Sequence, residues 1–382
     1  MNLLNKPLTS TLARNVLARS AAATAGLASL AIAAAPFLGD TLSTTYSKDQ
    51  VFTVSVKTDT TSKSETQMTM DGEPMDRGGR GGGGGATERT LSYTYTDTPL
   101  EVKDGAPTKV ERTFDEVGGS LSMEMRGEPM DIEVESAFEG LTIVFTDKAG
   151  DVEAEVTDGD APSDDERLAG HRLALPLDGL LPEDEVEAGG SWDIETDALL
   201  VALGLDLEAK LVDRPERGGG GEGRGGRGGG GRGGRSGGRS GGGSALAPLA
   251  TCDWSTTATY TGETEEVDGV ECVIIKIKAE VEGSVERSFG GRGRDRAPLD
   301  LAAGTTPASA PQETDYTGEF EGRLLWSLAQ NRPVQFTFEG SFESEMEFER
   351  DTERGLMEIT RDSETSVSIT IDVGAEAKGS DG

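Results

Sequence analysis

Apolar and polar residues alternate along ten segments of this chain, and this alternation constrains the fold more than any other feature. The segments are VFTVSV (51–56), LSYTYT (91–96), LSMEM (121–125), IEVE (132–135), LTIVF (141–145), VEAEV (152–156), VIIKIKAEVEG (273–283), VQFTFEG (334–340), LMEIT (356–360) and SVSITIDV (366–373). Successive side chains of a strand point to opposite faces, so this period puts apolar residues on one face. Turn residues separate the segments. We therefore predict a mainly β protein of curved antiparallel sheets, half-barrel or sandwich-like, with one face in water.

One stretch breaks the alternation. Residues 191–212 read SWDIETDALLVALGLDLEAKLV. Thr196 or Asp197 can cap a helix, and the Ala and Leu residues that follow favour helix formation. We predict one or two short helices at about 196–212, packed on a sheet, with leucines as core contacts, namely Leu199, Leu200 and Leu203.

Two glycine-rich tracts interrupt the strands, at 77–85 and at 214–244. Without apolar side chains, neither tract can offset the entropy lost on ordering, so both are expected to be disordered. The longer tract, with seven Arg and two Glu, is predicted to link an N-terminal β segment (40–213) to a C-terminal one (245–376) that completes the same fold. Residues 377–382 are expected to form a flexible tail. The linker could also contact an acidic body or an anionic envelope polymer.

The N-terminus has the pattern of an export signal. The first twenty residues carry three basic residues and no acidic one, and an Ala/Leu-rich run follows at 21–35. A basic stretch, a short apolar run and small residues at its end are typical of a secretory signal peptide, and Ala31 and Ala33 fit the cleavage rule. We predict a signal peptide over 1–35 and a periplasmic, cell-surface or extracellular location. The alternative is an uncleaved anchor helix, for which this run is short.

The charge of the chain limits the classes of molecule that it can bind. There are 70 acidic against 36 basic residues, a formal net charge of -34. Such a surface repels nucleic acid and anionic lipid, and it attracts divalent cations or basic partners. No segment beyond the signal is long and apolar enough to cross a bilayer, so we expect no stable transmembrane span after cleavage.

Methionines cluster in two similar segments. TQMTMDGEPMD (66–76) and LSMEMRGEPMD (121–131) match at seven of eleven positions and hold six of the nine methionines: Met68, Met70, Met75, Met123, Met125 and Met130. The match indicates a repeated strand-hairpin unit. The first interpretation is that these flexible side chains fill an irregular core. The alternative is a Cu⁺ site, because thioethers are soft ligands.

The remaining candidate residues are few. Cys252 and Cys272 are predicted to form a disulfide in an exported chain, with two buried thiols as the alternative. His171 is expected to be a surface or loop histidine. The acidic loop at 158–166 offers weak Ca²⁺ ligands but lacks the order of an EF-hand, so a solvated loop is the first interpretation. Its candidate ligands are Asp158, Asp160, Asp164 and Asp165.

Two longer motifs suggest a family. LALPLDGLLPEDEVEAGGSW (173–192) and YTGEFEGRLLWSLAQNRPVQFTFEGSF (316–342) follow the exported signal and the amphipathic strands. In these motifs the chain resembles uncharacterised secreted β-rich bacterial proteins of the planctomycete type. The resemblance implies a half-barrel similar to those of periplasmic lipoprotein carriers, and it carries no known catalytic residue.

Together these patterns favour a non-catalytic function. The literal matches to G-x-G-x-x-G at 221–226 and to G-x-S-x-G at 238–242 fall inside the glycine-rich tract and reflect its composition. With no nucleophile–base pair and no Walker lysine, we assign no catalytic or cofactor-binding residue. We expect an exported envelope or extracellular binding or structural protein, whose partner is a basic protein, an envelope polymer or a hydrophobic ligand, and not nucleic acid. One alternative is a carrier or sensor of a hydrophobic ligand in a β half-barrel, and another is a carboxylate-dependent hydrolase.

Overall fold

The computed structural model describes residues 42–75, 85–125, 128–162, 164–212, 244–287, 312–352 and 355–376. The predicted signal peptide, nearly all of both glycine-rich tracts and the C-terminal tail lie outside the described residues. The interpretations made for those parts therefore stay predictions.

The described residues form thirteen strands, two short helices and three 3₁₀ turns, which confirms the predicted mainly β fold with few helices. The strands are β1 (Val51–Met70), β2 (Glu73–Pro74), β3 (Gly85–Lys103), β4 (Ala106–Met125), β5 (Glu128–Val134), β6 (Thr142–Lys148), β7 (Asp151–Asp158), β8 (Ser191–Asp193), β9 (Asp253–Val267), β10 (Val270–Arg287), β11 (Gln312–Ser327), β12 (Arg332–Thr352) and β13 (Gly355–Glu376). The helices are α1 (Thr196–Ala202) and α2 (Leu205–Leu211). The 3₁₀ turns are Asp165–Leu168, Asp178–Leu180 and Ala247–Thr251.

All the strands belong to one antiparallel sheet that does not close on itself. Their order is β7-β6-β4-β3-β1-β13-β12-β11-β10-β9-β8, with β2 paired to β1 and β5 paired to β4. The first strand pairs with the last along its whole length, from Val51 opposite Glu376 to Met70 opposite Met357. The segments on the two sides of the long glycine-rich tract therefore contribute to one continuous sheet.

One face of the sheet, called here the inner face, carries the hydrophobic core. In β1, for example, Phe52, Val54 and Val56 are buried, while the residues between them are partly exposed. The pattern continues on neighbouring strands, so the alternation seen in the sequence becomes a single apolar surface.

A cover of helices and loops seals one end of the inner face. It consists of residues 42–50, the loop and 3₁₀ turns at 165–181, α1, α2 and the segment 244–252, and its leucines join the core of the sheet. Leu199 and Leu203 are buried and Leu200 packs against the core, which confirms the predicted role of these leucines. Trp192 donates its Nε1–H to the carbonyl of Leu180 at 3.0 Å and so ties β8 to the cover.

Glycines and aromatic rings alternate across the inner face of β10, β11 and β12. Each inner-face glycine of these strands lies directly opposite an aromatic residue: Gly283 opposite Tyr316, Gly318 opposite Phe342, Gly322 opposite Phe338, and Gly340 opposite Phe320. A ring that leans over a glycine covers the backbone that has no side chain of its own. The missing β-carbons thus leave room for closely packed rings, such as the stacked pair Phe320 and Phe338, whose centroids are 5.2 Å apart.

The outer face carries carboxylates that stand directly opposite one another. In one row across four strands, Asp315, Glu345, Asp362 and Glu65 are consecutive neighbours. In the next row, Glu343 lies opposite Glu364. Like charges at such positions repel, so these facing carboxylates oppose folding to a small degree.

Candidate functional site

The long central strands extend well beyond the cover. β1, β12 and β13 have 20, 21 and 22 residues, and 22 residues at about 3.3 Å each span about 70 Å. On the inner face the last fully buried positions are Thr60 on β1, Phe342 on β12 and Thr365 on β13. Beyond them the same face continues with partly exposed side chains and with the exposed Arg361.

A band of hydroxyl groups follows the core on this face. The Thr365 Oγ1–H donates to Ser62 Oγ at 3.0 Å, and the hydroxyls of Ser344 and Ser363 lie 2.6 Å apart. Both pairs join side chains directly opposite each other on neighbouring strands. The band separates the sealed core from the far end of the strands.

Apolar side chains return at the far end and form a surface that we call the tip patch. On β1 and β13, Met68 lies opposite Ile359 and Met70 lies opposite Met357. On β12 the patch is completed by Met346 and by Phe348, which is the partner of Ile359. All six side chains are partly exposed, unlike the sealed residues at equivalent positions under the cover.

The structure divides the predicted methionine cluster. Met68, Met70 and Met75 lie at the end of β1, whereas Met123 pairs with Met130 between β4 and β5, and β3 separates the two groups. None of these five is fully buried, and Met130 is 37% exposed. The interpretation that they fill a buried core is therefore wrong. Among the described residues, cross-strand packing at the far end of the sheet, and not enclosure, determines their environment.

A charged pair is buried on the inner face beneath the cover. Asp97 on β3 lies directly opposite Arg112 on β4 and accepts two hydrogen bonds, from Nε at 2.6 Å and Nη2 at 2.7 Å. Burial raises the pKa of Asp97, and the charge of Arg112 opposes that rise. The guanidinium also lies 4.4 Å from the centre of the Tyr95 ring and donates to the carbonyl of Arg172. Its donors are thus largely used within the protein.

His171 is buried beside this pair. The predicted loop position of His171 is confirmed, whereas a surface position is wrong. Its ring stacks on the ring of Phe145 at 4.7 Å between centroids and contacts Phe114 and Phe138. Burial, and then the charge of Arg112, lowers the pKa of His171 to about 3. The imidazole is therefore neutral. Its Nε2–H donates to the carbonyl oxygen of Arg167 at 3.0 Å, which leaves Nδ1 as an acceptor with no partner.

Asp178 anchors the segment at 42–50 to the cover. Its carboxylate accepts hydrogen bonds from the hydroxyls of Thr44 and Tyr46. The Tyr46 hydroxyl in turn accepts from the backbone N–H of Leu175 at 2.7 Å. Burial raises the pKa of Asp178 to about 6, although the two hydroxyl donors act in the opposite direction.

The described residues of the acidic loop do not group its candidate Ca²⁺ ligands. Asp158 ends β7, Asp160 is exposed, and Asp164 caps a 3₁₀ turn by accepting from the N–H of Glu166 at 3.1 Å. Asp165 begins that turn. Within the described part of the chain, no three His, Cys, Asp or Glu side chains are grouped to hold a metal ion.

The two cysteines are free, buried thiols. The predicted disulfide is therefore wrong, and the alternative of two buried thiols is correct. The β-carbon of Cys252 is 2.9 Å from the place where a β-carbon on Gly283 would stand. Cys272 is on the same strand as Gly283 but eleven residues away (272 to 283), which is about 36 Å at about 3.3 Å per residue. A disulfide needs α-carbons within about 7 Å, so the register of β10 forbids the bond.

The sequence carries a signal for the buried pair of Asp97 and Arg112. Asp97 has the same parity as the apolar Leu91, Tyr93 and Tyr95, and Arg112 stands between the apolar Val110 and Phe114. Charged residues at inward positions of two adjacent strand segments are expected to pair.

No helix in the described residues has the length and apolarity to span a membrane.

Comparisons with known proteins supply no family. No protein-family model matches the chain, and no curated protein matches it in sequence. Among solved structures, it is similar to one described as "Lipid-protein interactions in lipovitellin", with 6% identity and a TM-score of 0.26 over 88% of this chain and 26% of that chain. It therefore spans about a quarter of that protein.

Two further solved structures have lower TM-scores. Pseudomonas aeruginosa OpdQ has 6% identity and a TM-score of 0.13 over 86% of this chain and 98% of its own. The P. putida toluene transporter TodX has 6% identity and a TM-score of 0.10 over 86% of this chain and 90% of its own. Likenesses this low carry no argument about fold or function.

Proposed function

We propose that the protein is an exported, non-catalytic binding protein that holds an apolar or amphiphilic molecule on the tip patch. The observation that carries this proposal is the return of apolar side chains at the far end of the inner face, which the described residues of the cover do not reach. Partly exposed apolar surface of this kind is the usual mark of a binding site.

The side chains of the patch suit a ligand of variable shape. Three of its members are methionines on β1 and β13, and a fourth is Met346 on β12. Methionine has an unbranched, polarizable side chain that adapts to different apolar partners. The patch is therefore suited to flexible hydrocarbon chains more than to one rigid molecule.

The neighbouring hydroxyl band supports an amphiphilic ligand. The pairs Ser62–Thr365 and Ser344–Ser363 lie next to the patch on the same face. Their oxygens can accept or donate hydrogen bonds to a polar group, while the hydrocarbon part of the ligand rests on the methionines. The net charge of -34 repels an anionic ligand at long range, whereas the exposed Arg361, directly opposite Met346 on the same face, places a cation beside the patch. The first probe is therefore an uncharged one, which neither effect favours.

Binding of an uncharged fluorescent probe tests the proposal. N-phenyl-1-naphthylamine is titrated into the purified chain, with Met68→Lys as the test variant and Gln67→Lys as its matched control. Met68 lies in the patch, and its neighbour Gln67 is exposed on the outer face. We expect Met68→Lys to weaken binding at least about tenfold, about 1.4 kcal/mol, and Gln67→Lys to change it less than twofold.

Three outcomes oppose the proposal. Equal effects of the two variants would mean that the probe binds outside the patch. No binding by the unmodified chain would mean that the patch does not hold such a ligand. Native mass spectrometry of the protein purified from its own cells, followed by solvent extraction, identifies any bound molecule. A ligand-free spectrum together with no probe binding would favour a structural role in the envelope.

A further inference from the structure

Acidic residues are confined to one face of the four central strands. Every Asp and Glu of β1, β11, β12 and β13 occupies an outer-face position, and no inner-face position of these strands holds an acidic residue. Successive residues of a strand alternate between the faces, so this separation follows from the sequence. On these strands, the carboxylates that dominate the net charge of -34 therefore lie on the face opposite the tip patch.

A cation, Arg361, lies on the inner face where the hydroxyl band meets the tip patch. It is directly opposite Thr66 on β1 and Met346 on β12. Along β13 it is two residues from Ser363 of the band and two residues from Ile359 of the patch. Its side chain is exposed, and among the described residues it forms no ion pair. The positive charge is thus placed at the junction of the polar and apolar parts of this face.

Two arginines elsewhere on the inner face have carboxylate partners within the protein. Arg89 on β3 is paired with Glu208, and Arg112 on β4 is paired with Asp97. The described residues supply no such partner to Arg361. A guanidinium binds a carboxylate through two parallel, charge-assisted hydrogen bonds, a geometry that a single hydroxyl group does not reproduce. A bound carboxylate would therefore complete Arg361 as the two acidic side chains complete the other arginines.

The order of groups along β13 sets the shape of the ligand. From Arg361 to Met357 the strand advances four residues, which is about 13 Å at about 3.3 Å per residue. Over this distance the inner face is apolar, with Ile359 on β13 between Phe348 on β12 and Met68 on β1. A molecule that contacts both the cation and the end of the patch must be long, apolar along its length and charged at one end.

The acidic outer face does not prevent an anion from binding at this position. At physiological ionic strength the effect of exposed charges falls off over about 8 Å. A carboxylate on Arg361 is in direct contact with its partner and has the sheet between itself and the outer carboxylates. Because the attraction between charges grows as their distance falls, the contact outweighs the screened repulsion from the other face.

We propose that the tip patch binds a long-chain carboxylate, with the carboxylate on Arg361 and the hydrocarbon chain over the methionines. The hydroxyls of Ser363 and Thr66, which flank the arginine, can donate to the same carboxylate. This inference rests on the proposed function of the tip patch and adds the chemical class of its ligand. It predicts that the site distinguishes a carboxylate from the alcohol of the same chain length.

Displacement of N-phenyl-1-naphthylamine tests the inference. The unmodified chain is loaded with this uncharged probe and titrated at neutral pH with dodecanoate and, separately, with dodecan-1-ol, which has the same chain length and no charge. We expect the alcohol to bind at least about tenfold more weakly than dodecanoate, because it cannot form the two charge-assisted hydrogen bonds.

Two variants, each of which removes one positive charge, locate the bound anion. Arg361→Gln removes the cation beside the patch, and Lys63→Gln removes an exposed cation on the outer face of β1, opposite Glu364. We expect Arg361→Gln to weaken the binding of dodecanoate about tenfold and to change that of dodecan-1-ol and of the probe less than about twofold. Lys63→Gln should change all three affinities less than about twofold, since it alters only the net charge.

The opposite results would overturn the inference. Equal affinity of the unmodified chain for dodecanoate and dodecan-1-ol would leave the patch as a site for uncharged ligands, so the proposed function would stand without this inference. Equal effects of the two variants on dodecanoate would mean that Arg361 does not hold the carboxylate. If Arg361→Gln fails to fold, the comparison of dodecanoate with its alcohol on the unmodified chain still decides. If the probe does not bind, calorimetry with dodecanoate replaces displacement, and no binding there would contradict both this inference and the proposed function.

Discussion

The ring of Phe320 on β11 occupies the space in which a β-carbon of Gly340 on β12 would stand. A β-carbon at position 340 would come within 2.5 Å of Phe320 Cδ1 and would also clash with the carbonyl oxygen of Glu319. The carbonyl belongs to the backbone of the paired strand and cannot turn aside. The close approach of ring and backbone therefore depends on glycine at this position.

We expect Gly340→Ala to lower the free energy of unfolding by about 1–3 kcal/mol, because the added methyl group forces the strand and the ring apart. Gly374→Ala is the matched control, since a β-carbon there meets only ordinary contacts at 3.8 Å with Thr53. It should change stability by less than about 0.5 kcal/mol. Urea unfolding followed by tryptophan fluorescence measures both, and equal effects would contradict the role assigned to the ring.

The alternation of residues was enough to predict the inner and outer faces of the strands. Val54 and Val56 are buried and their neighbours are not, as period two requires. The short helices were also predictable, because Leu199 and Leu203 lie in a segment that changes period. These features depend on local patterns that adjacent residues share.

Features that depend on distant contacts could not be predicted. His171 is buried because rings from β4, β6 and the loop at 135–141 close on it, and nothing near it in the sequence indicates them. Cys252 and Cys272 are kept apart by the register of β10, which a count of cysteines cannot reveal. The tip patch lies beyond the described residues of the cover, and where that cover ends is a property of the whole fold.

The buried histidine predicts a loss of stability in acid. The pKa of His171 is lowered to about 3 in the folded state, against about 6.5 in the unfolded chain. Below pH 6.5 the unfolded state binds a proton that the folded state does not, so stability falls as pH falls through this window. The loss is about 1.4 kcal/mol per pH unit.

Comparison with His171→Phe isolates the contribution of His171 to the pH dependence of stability, because all other groups titrate in both proteins. The difference in unfolding free energy between the unmodified chain and the variant should decrease steadily from pH 6.5 to pH 5. Urea titrations at half-unit intervals measure it. A difference that does not change with pH would mean that the imidazole is accessible to water.

The raised pKa of Asp178 predicts that stability changes with pH in the opposite direction. Its pKa is raised to about 6 from the ordinary 3.8, so between these values the folded state binds a proton that the unfolded state does not. Stability contributed by this group therefore falls as pH rises from 4 to 6, by up to about 1.4 kcal/mol per unit, and is level above pH 6.

Asp178→Asn keeps one acceptor for the hydroxyls of Thr44 and Tyr46 and does not titrate. The unmodified chain should lose stability relative to this variant as pH rises from 4 to 6. A relative gain over the same range would show that hydrogen bonds to the ionised carboxylate outweigh its burial.

The separation of the cysteines predicts free thiols in the purified protein. Both side chains are buried, and burial is the main cause that raises the pKa of each thiol. Iodoacetamide should therefore react slowly with the folded chain and add to both cysteines once the chain is denatured without a reductant. Mass spectrometry counts the adducts. If the denatured chain gains no adduct until it is reduced, the cysteines are paired after all.

The carboxylate row on the outer face predicts that one change of charge stabilises the protein. Glu345 lies directly between Asp362 and Asp315, so Glu345→Lys replaces two repulsive cross-strand pairs with two attractive ones. Each such pair is worth about 0.2–1 kcal/mol, and we expect a gain of about 1 kcal/mol at low salt. Glu345→Gln removes the repulsion alone and should gain about half as much. In 1 M NaCl, where the screening length is about 3 Å, both gains should shrink. Gains that are independent of salt would mean that the effect comes from strand propensity and not from charge.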